Sequence, residues 1–174
     1  MAKDKIRVAL IGVGIIGESH IQTYRNIPEA EIAAICDINE TRLNEIGDRY
    51  GISHRYTHIG KMLRDEELDA VDVCLHNNMH APVSIAVMRS GRDCYCEKPM
   101  AGSFYDAREM LRVSEETGRK LHIQLAFLYS NETKAAKRYI DAGDLGRIYH
   151  MRSYGFRRRG RPYVDGYFSP KEKY

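Results

Sequence analysis

Three glycines spaced G-x-G-x-x-G, at Gly12, Gly14 and Gly17, follow directly on an apolar run from Val8 to Ile11. Behind them Ile21, Tyr24 and Ile27 recur at helical spacing, so the pattern reads as strand, tight turn, helix. Such a turn leaves unpaired backbone N–H groups at the positive end of the helix, a ready site for a pyrophosphate. Each glycine has its own reason: Gly12 for the turn, Gly14 for close phosphate approach, Gly17 for packing helix on strand. Val13, Ile15 and Ile16 supply the rest of that loop and are read with it as cofactor-binding. A second apolar run, Ile32 to Cys36, ends in Asp37, about 20 residues past the glycines, where a dinucleotide-binding unit carries an acid. A carboxylate there accepts hydrogen bonds from both ribose hydroxyls of an adenosine and repels a 2′-phosphate. NAD is therefore expected over NADP, with Arg42 nearby as the opposing cation.

A second set of reactive residues lies further along. Glu97-Lys98-Pro99 closes an apolar segment, Asp93 to Cys96, at the carboxyl end of a strand, where open α/β sheets bind ligands. Pro99 restricts the backbone after Lys98. An ammonium aimed in this way can hydrogen-bond a substrate hydroxyl and help manage its proton during oxidation. Between the two sets, Leu75, His76 and Asn77 leave the preceding strand and His80 opens a helix; all four are expected on the cofactor side.

These residues need elements to carry them. Asn39–Tyr50 reads as a helix stopped by Gly51, followed by an extended piece at Arg55–Thr57 and a polar helical segment near Lys61–Glu67. Ala70–Leu75 is a strand, Pro82–Ser90 a helix closed by Gly91, and Asp93–Glu97 the next strand. Ser103 with Asp106 caps a helix running to Gly118. Leu121–Leu125 is a further strand and Glu132–Ala142 a helix ended by Gly143. Strands alternating with glycine-stopped helices predict an α/β protein, a doubly wound parallel sheet (a Rossmann dinucleotide-binding domain) over residues 1–144. From Arg147 the period changes to alternation: Ile148, His150, Arg152, Tyr154 and Phe156 on one side of a long strand. That strand is expected to open an incomplete α+β second domain over residues 145–174. Its unpaired edges would favour self-association into a homo-oligomer.

Composition excludes several classes. The 174 residues are 43% hydrophobic and 29% charged, as in ordinary soluble proteins. Cys36, Cys74, Cys94 and Cys96 fall in apolar runs and read as reduced, buried thiols of a cytoplasmic protein. Cys94-x-Cys96 is too short for a zinc knuckle and has no matching pair, so no metal is expected. Lys3, Lys5 and Arg7 before an apolar run imitate a signal peptide, but the run is broken by glycines and meets Glu18. No stretch is long enough to span a membrane. Residues 145–174 hold eight Lys/Arg against two Asp/Glu, which marks a boundary rather than a nucleic-acid site.

Taken together, GVGIIG, the strand-end Asp37, His80, EKPMA at 97–101 and DLGRIYHMRSYGFRRRG at 144–160 resemble the Gfo/Idh/MocA oxidoreductases. The resemblance implies a Rossmann domain followed by a domain with a large open sheet that carries substrate contacts and the oligomer interface. It implies NAD(P)-dependent oxidation or reduction of a sugar, cyclitol or related carbonyl compound. By the same resemblance Lys98 matches the catalytic-site lysine, Glu97 the glutamate near the nicotinamide, and Gly12, Gly14, Gly17 and Asp37 the cofactor residues; Glu97 and Lys98 are expected to bind the cofactor as well. Two departures stand out. The family's Arg-Phe-x-Pro stretch reads Leu128-Tyr129-Ser130-Asn131 here. Its Asp-x-x-x-His is matched only by Asp72 and His76, which lie about 13 Å apart along a strand. The chain by itself is therefore expected to bind dinucleotide without turnover. A non-catalytic dinucleotide-binding module is the alternative.

Overall fold

A computed structural model describes residues 5–156. In chain order the elements are β1 (Ile6–Ile11), α1 (Ile15–Tyr24), β2 (Ala30–Cys36), α2 (Glu40–Tyr50), β3 (Arg55–Tyr56), α3 (Ile59–Asp65) and β4 (Ala70–Val73). They continue with α4 (Asn77–Arg89), β5 (Asp93–Glu97), α5 (Phe104–Thr117), β6 (Leu121–Gln124), a 3-10 turn (Ala126–Tyr129) and α6 (Asn131–Asp141). All six strands pair in parallel in the order β3-β2-β1-β4-β5-β6. The expected doubly wound sheet is present.

Parallel strands covered on both faces alternate their side chains between two apolar layers. Ala9 and Ile11 of β1 join Ala34, Cys36, Val71 and Val73 beneath Met62 of α3, Val87 of α4 and Val113 of α5. Leu10 and Ile35 face the other way, onto Ile21 of α1 and Leu43 and Ile46 of α2. Each such fully buried Leu or Ile contributes roughly 1.5–3 kcal/mol. Helix ends follow their local chemistry: Asn39 accepts from the Arg42 N–H at 3.0 Å to start α2, and Gly51 ends it at φ 70°. Ser103 accepts from the Asp106 N–H at 3.1 Å to start α5.

Away from the glycine loop, Glu66 ties the end of α3 to the sheet. It is 6% exposed, accepts from the Tyr56 hydroxyl at 2.6 Å and lies 2.5 Å from His54 Nδ1. The Arg7 guanidinium stands 3.8 Å away. Burial alone would raise its pKa; Tyr56, His54 and Arg7 outweigh that and bring it below the usual 4.5. A depressed carboxylate adds stability above its unfolded pKa, and loses it as pH falls through the folded value. Glu66→Gln is therefore expected to cost about 1–3 kcal/mol at pH 7. In urea denaturation the gap to the unsubstituted protein should narrow at pH values below the ordinary carboxylate range.

Two elements differ from expectation. Helix α4 begins at Asn77 rather than Pro82, which leaves Pro82 inside it. Proline favours the first helical position, but here the buried His80 closes a turn upstream by reaching the Leu75 carbonyl. The described chain also divides into two compact units, the second beginning at Leu125. In that second unit the strand expected over 148–156 is not formed, and residues 147–156 carry no regular element. Alternation of side chains does not hold a strand without a neighbour to accept its backbone hydrogen bonds, and among the described residues none pairs with it. Tyr149, Met151, Tyr154 and Phe156 are exposed. The arginine-rich residues 157–161 lie outside the described residues.

Candidate cofactor and active site

Between β1 and β4 the strand order reverses, and the loops leaving both strands open onto the same carboxyl edge. The glycine loop fills one side of that opening. Gly12 sits at φ +90°, and a Cβ there would come 2.4 Å from the Cys74 carbonyl oxygen. A Cβ on Gly17 would stand 2.0 Å from the Gly12 carbonyl oxygen. At Gly14 a Cβ would meet nothing within 4 Å. Two of the glycines are thus demanded by the chain's own backbone, and the third faces open space. Gly14 is also the N-cap of α1, with no side chain capping it. The leading N–H groups of the helix consequently lack internal acceptors.

Asp37 stands at the tip of β2 with both oxygens in use. Oδ2 accepts from the Val13 N–H and Oδ1 from the Asn39 N–H, each at 2.9 Å. These bonds fix the carboxylate at the edge of the crevice, and each oxygen keeps a second lone pair for a hydroxyl donor. Val13 lends structure rather than a phosphate donor: its N–H is committed to Asp37 and its side chain lies in the core. Ile15 is exposed and Ile16 half-buried at the start of α1. Arg42 is turned inward. Its Nε donates to the Val13 carbonyl at 3.0 Å, and its two terminal nitrogens donate to Glu18 at 2.5 Å and Glu45 at 3.0 Å.

Across the opening, Leu75 is half-buried, with a methyl group 3.0 Å from where a Gly12 Cβ would be. His76 caps α4 and Asn77 begins it. His80, expected beside the crevice, is 1% exposed. Its Nδ1 lies 2.6 Å from the Pro99 carbonyl oxygen and its Nε2 3.0 Å from that of Leu75. With both ring nitrogens turned to backbone carbonyls, His80 braces the Lys98-Pro99 turn against the exit of β4 instead of offering a nitrogen to a ligand. The Lys98–Pro99 peptide is cis. Lys98 is exposed at the carboxyl end of β5, and its N–H donates to Glu97 Oε2 at 3.0 Å.

One cluster escaped sequence reasoning. Asp72, in the middle of β4, is 0% exposed, and His20 Nδ1 of α1 lies 2.8 Å from its Oδ2. The signal was a charged residue inside an apolar strand, which needs a buried partner. That partner lies 52 positions away in sequence, beyond the reach of any local spacing. The four cysteines are free; burial raises the thiol pKa of Cys36 and Cys94 to about 12 and that of Cys96 to about 11. No helix among the described residues is long and apolar enough to cross a membrane.

Known proteins resemble this chain in sequence and in fold. A Sphingobium 4-carboxy-2-hydroxymuconate-6-semialdehyde dehydrogenase is 31% identical over 155 residues, which cover 88% of this chain and 49% of that protein. The inositol 2-dehydrogenase of Salmonella typhimurium is 26% identical, covering 86% of this chain and 46% of its own. The chain spans about half the length of these relatives. Among solved structures, the WlbA dehydrogenase of Bordetella pertussis, in complex with NADH and UDP-GlcNAcA, superimposes with a TM-score of 0.80 at 29% identity. That match covers 83% of this chain and 44% of WlbA. Residues 6–125 match the oxidoreductase family with an NAD-binding Rossmann fold that is typified by Gfo, Idh and MocA. With the glycine loop, the strand-end acid and the fold all in place, this chain belongs to the Gfo/Idh/MocA oxidoreductase family.

Proposed function

We propose that this chain is the cofactor-binding part of an NAD-linked dehydrogenase of a sugar, cyclitol or related hydroxy compound. The observation that carries the reading is the pairing of the open cradle at Gly14 with the anchored carboxylate of Asp37. The glycine loop and Asp37 would hold NAD, whose nicotinamide would supply the hydride acceptor. The chain's own residues bind and orient: α1 presents its leading N–H groups to the pyrophosphate, and Asp37 takes the ribose hydroxyls. Lys98, at the mouth of the crevice, hydrogen-bonds the substrate oxygen and helps carry its proton away as the C–H bond is broken. Preference for NAD over NADP is supported by Asp37 and by Arg42, whose guanidinium is held by Glu18, Glu45 and the Val13 carbonyl. The segment from residue 145 begins the substrate and oligomerisation domain, and the protein works in the cytoplasm.

Titration calorimetry with both cofactors tests this reading. NAD(H) should bind more tightly than NADP(H). Asp37→Ala removes hydrogen bonds to a charged acceptor, worth about 1.5–3 kcal/mol, and should weaken NADH by roughly 10–100-fold. Equal affinity for the two cofactors, unmoved by the substitution, would end the assignment.

A further inference from the structure

The face of the sheet beneath α1 changes character along a single row. Parallel register sets Asp72 of β4 beside Leu10 of β1, Tyr95 of β5 beside Asp72, and His122 of β6 beside Tyr95. An apolar face thus becomes polar within one strand, and His20 of α1 meets it there. Its Nδ1 lies 2.8 Å from Asp72 Oδ2 and its Nε2 3.3 Å from Glu97 Oε1. A neutral imidazole has one N–H to give, whereas an imidazolium has two. Two carboxylates at two nitrogens are both satisfied only by the charged ring. Burial works against that charge, but Asp72, seconded by Glu97, outweighs it and holds the His20 pKa above its usual 6.5.

The groups around the His20–Asp72 pair are Asp72 itself from β4 and Cys74 just beyond it, Tyr95 and Glu97 from β5, and Tyr24 of α1, which interacts with Asp72. Cys74 Sγ lies 3.3 Å from Nδ1 and 3.4 Å from Asp72 Oδ1. Burial beside Asp72 drives the Cys74 thiol and the Tyr24 phenol upward, so both stay protonated. His20, Asp72 and Cys74 stand within 4.8 Å of one another, close enough to share a cation. The 2.8 Å separation of nitrogen and oxygen is nevertheless that of an N–H···O hydrogen bond. With the thiol protonated as well, the cluster reads as a hydrogen-bonded ion pair.

We propose that His20 is a positioning residue whose imidazolium ties Glu97 to the buried Asp72, and that loss of its ring proton releases Glu97 and weakens dinucleotide binding. This rests on the reading of the crevice as an NAD site. When the ring becomes neutral its remaining N–H stays with Asp72, which is 0% exposed and has no water to turn to. Nε2 then presents a lone pair to the Glu97 carboxylate, and the contact becomes repulsive. Glu97 Oε2 holds the Lys98 N–H, so the disturbance passes directly into the backbone that carries the lysine.

Histidine-labelled NMR on the 174-residue chain, paired with NADH fluorescence titrations from pH 6 to 9, tests the proposal. The His20 ring should titrate above 6.5 and lose part of its upward shift in Glu97→Gln. NADH should raise the His20 pKa further, because coupling between two binding equilibria is reciprocal. The NADH Kd should rise several-fold across the same pH interval, and His20→Gln, which keeps one donor for Asp72, should flatten that profile. A ring titrating at or below 6.5 and unmoved by Glu97→Gln would overturn the bridge. A bridge that forms but is indifferent to NADH would overturn the positioning role. If NADH binds at no pH, the cofactor reading fails and the coupling with it, while the titration in Glu97→Gln still decides whether the bridge exists.

Discussion

Lys98→Ala, made in a protein that joins this chain to the other half of its relatives' length, is expected to lower kcat by about 10²–10⁴-fold, the usual worth of one acid–base group. On the proposed reading NADH affinity should fall far less than kcat, because the Lys98 side chain meets the substrate oxygen while the glycine loop, Asp37 and Glu97 carry most of the dinucleotide contacts. The loss belongs to the transition state, so kcat and kcat/KM should fall together. Assays at 340 nm across a panel of sugars and inositols measure it. The 174 residues alone should bind NADH and turn over none of the panel. Positioning a substrate against the nicotinamide is worth about 7–11 kcal/mol, and the Asp-x-x-x-His that the resemblance leads one to expect beside the lysine is matched here only by Asp72 and His76. In the structure Asp72 is already engaged by His20. Undiminished activity in the joined Lys98→Ala protein would remove the lysine from the mechanism, and robust turnover by the short chain would show that its site is sufficient.

Much of this arrangement could be read from the sequence because it is locally encoded. A glycine that ends a strand, an Asn or Ser that caps a helix and an apolar run that enters a turn all act within a few residues, and β1, α2, β5 and α5 fall where those signals put them. The start of α4 was misplaced because Pro82 is a strong local signal, and a long-range one overrode it: His80 pinned between the carbonyls of Leu75 and Pro99. The missing strand at 148–156 failed for the complementary reason. Its alternation is genuine, yet a strand is a property of a pair. The His20–Asp72–Glu97 bridge was the least legible feature, since its members come from α1, β4 and β5 and meet only through the register of the sheet.

The glycine loop itself permits a sharper experiment than deletion, because its three positions are constrained by different things. Gly17→Ala would drive a methyl group to 2.0 Å from the Gly12 carbonyl oxygen, and backbone cannot swing aside as a side chain can. Overpacking of that kind costs roughly 1–3 kcal/mol, so this variant should melt earlier and bind NADH poorly. Gly14→Ala meets nothing within 4 Å, and its φ of −68° suits any residue. Its stability should stay within about 0.5 kcal/mol of the unsubstituted protein. The space its methyl group would fill is the space assigned to the pyrophosphate. NADH binding should therefore weaken by at least about tenfold, equivalent to about 1.4 kcal/mol, in a protein that is otherwise intact. Thermal melts and calorimetry on the two variants separate folding from binding. A Gly14→Ala protein that kept both its stability and its NADH affinity would show that the phosphates do not pass this glycine, and the crevice would have to hold its cofactor in some other way.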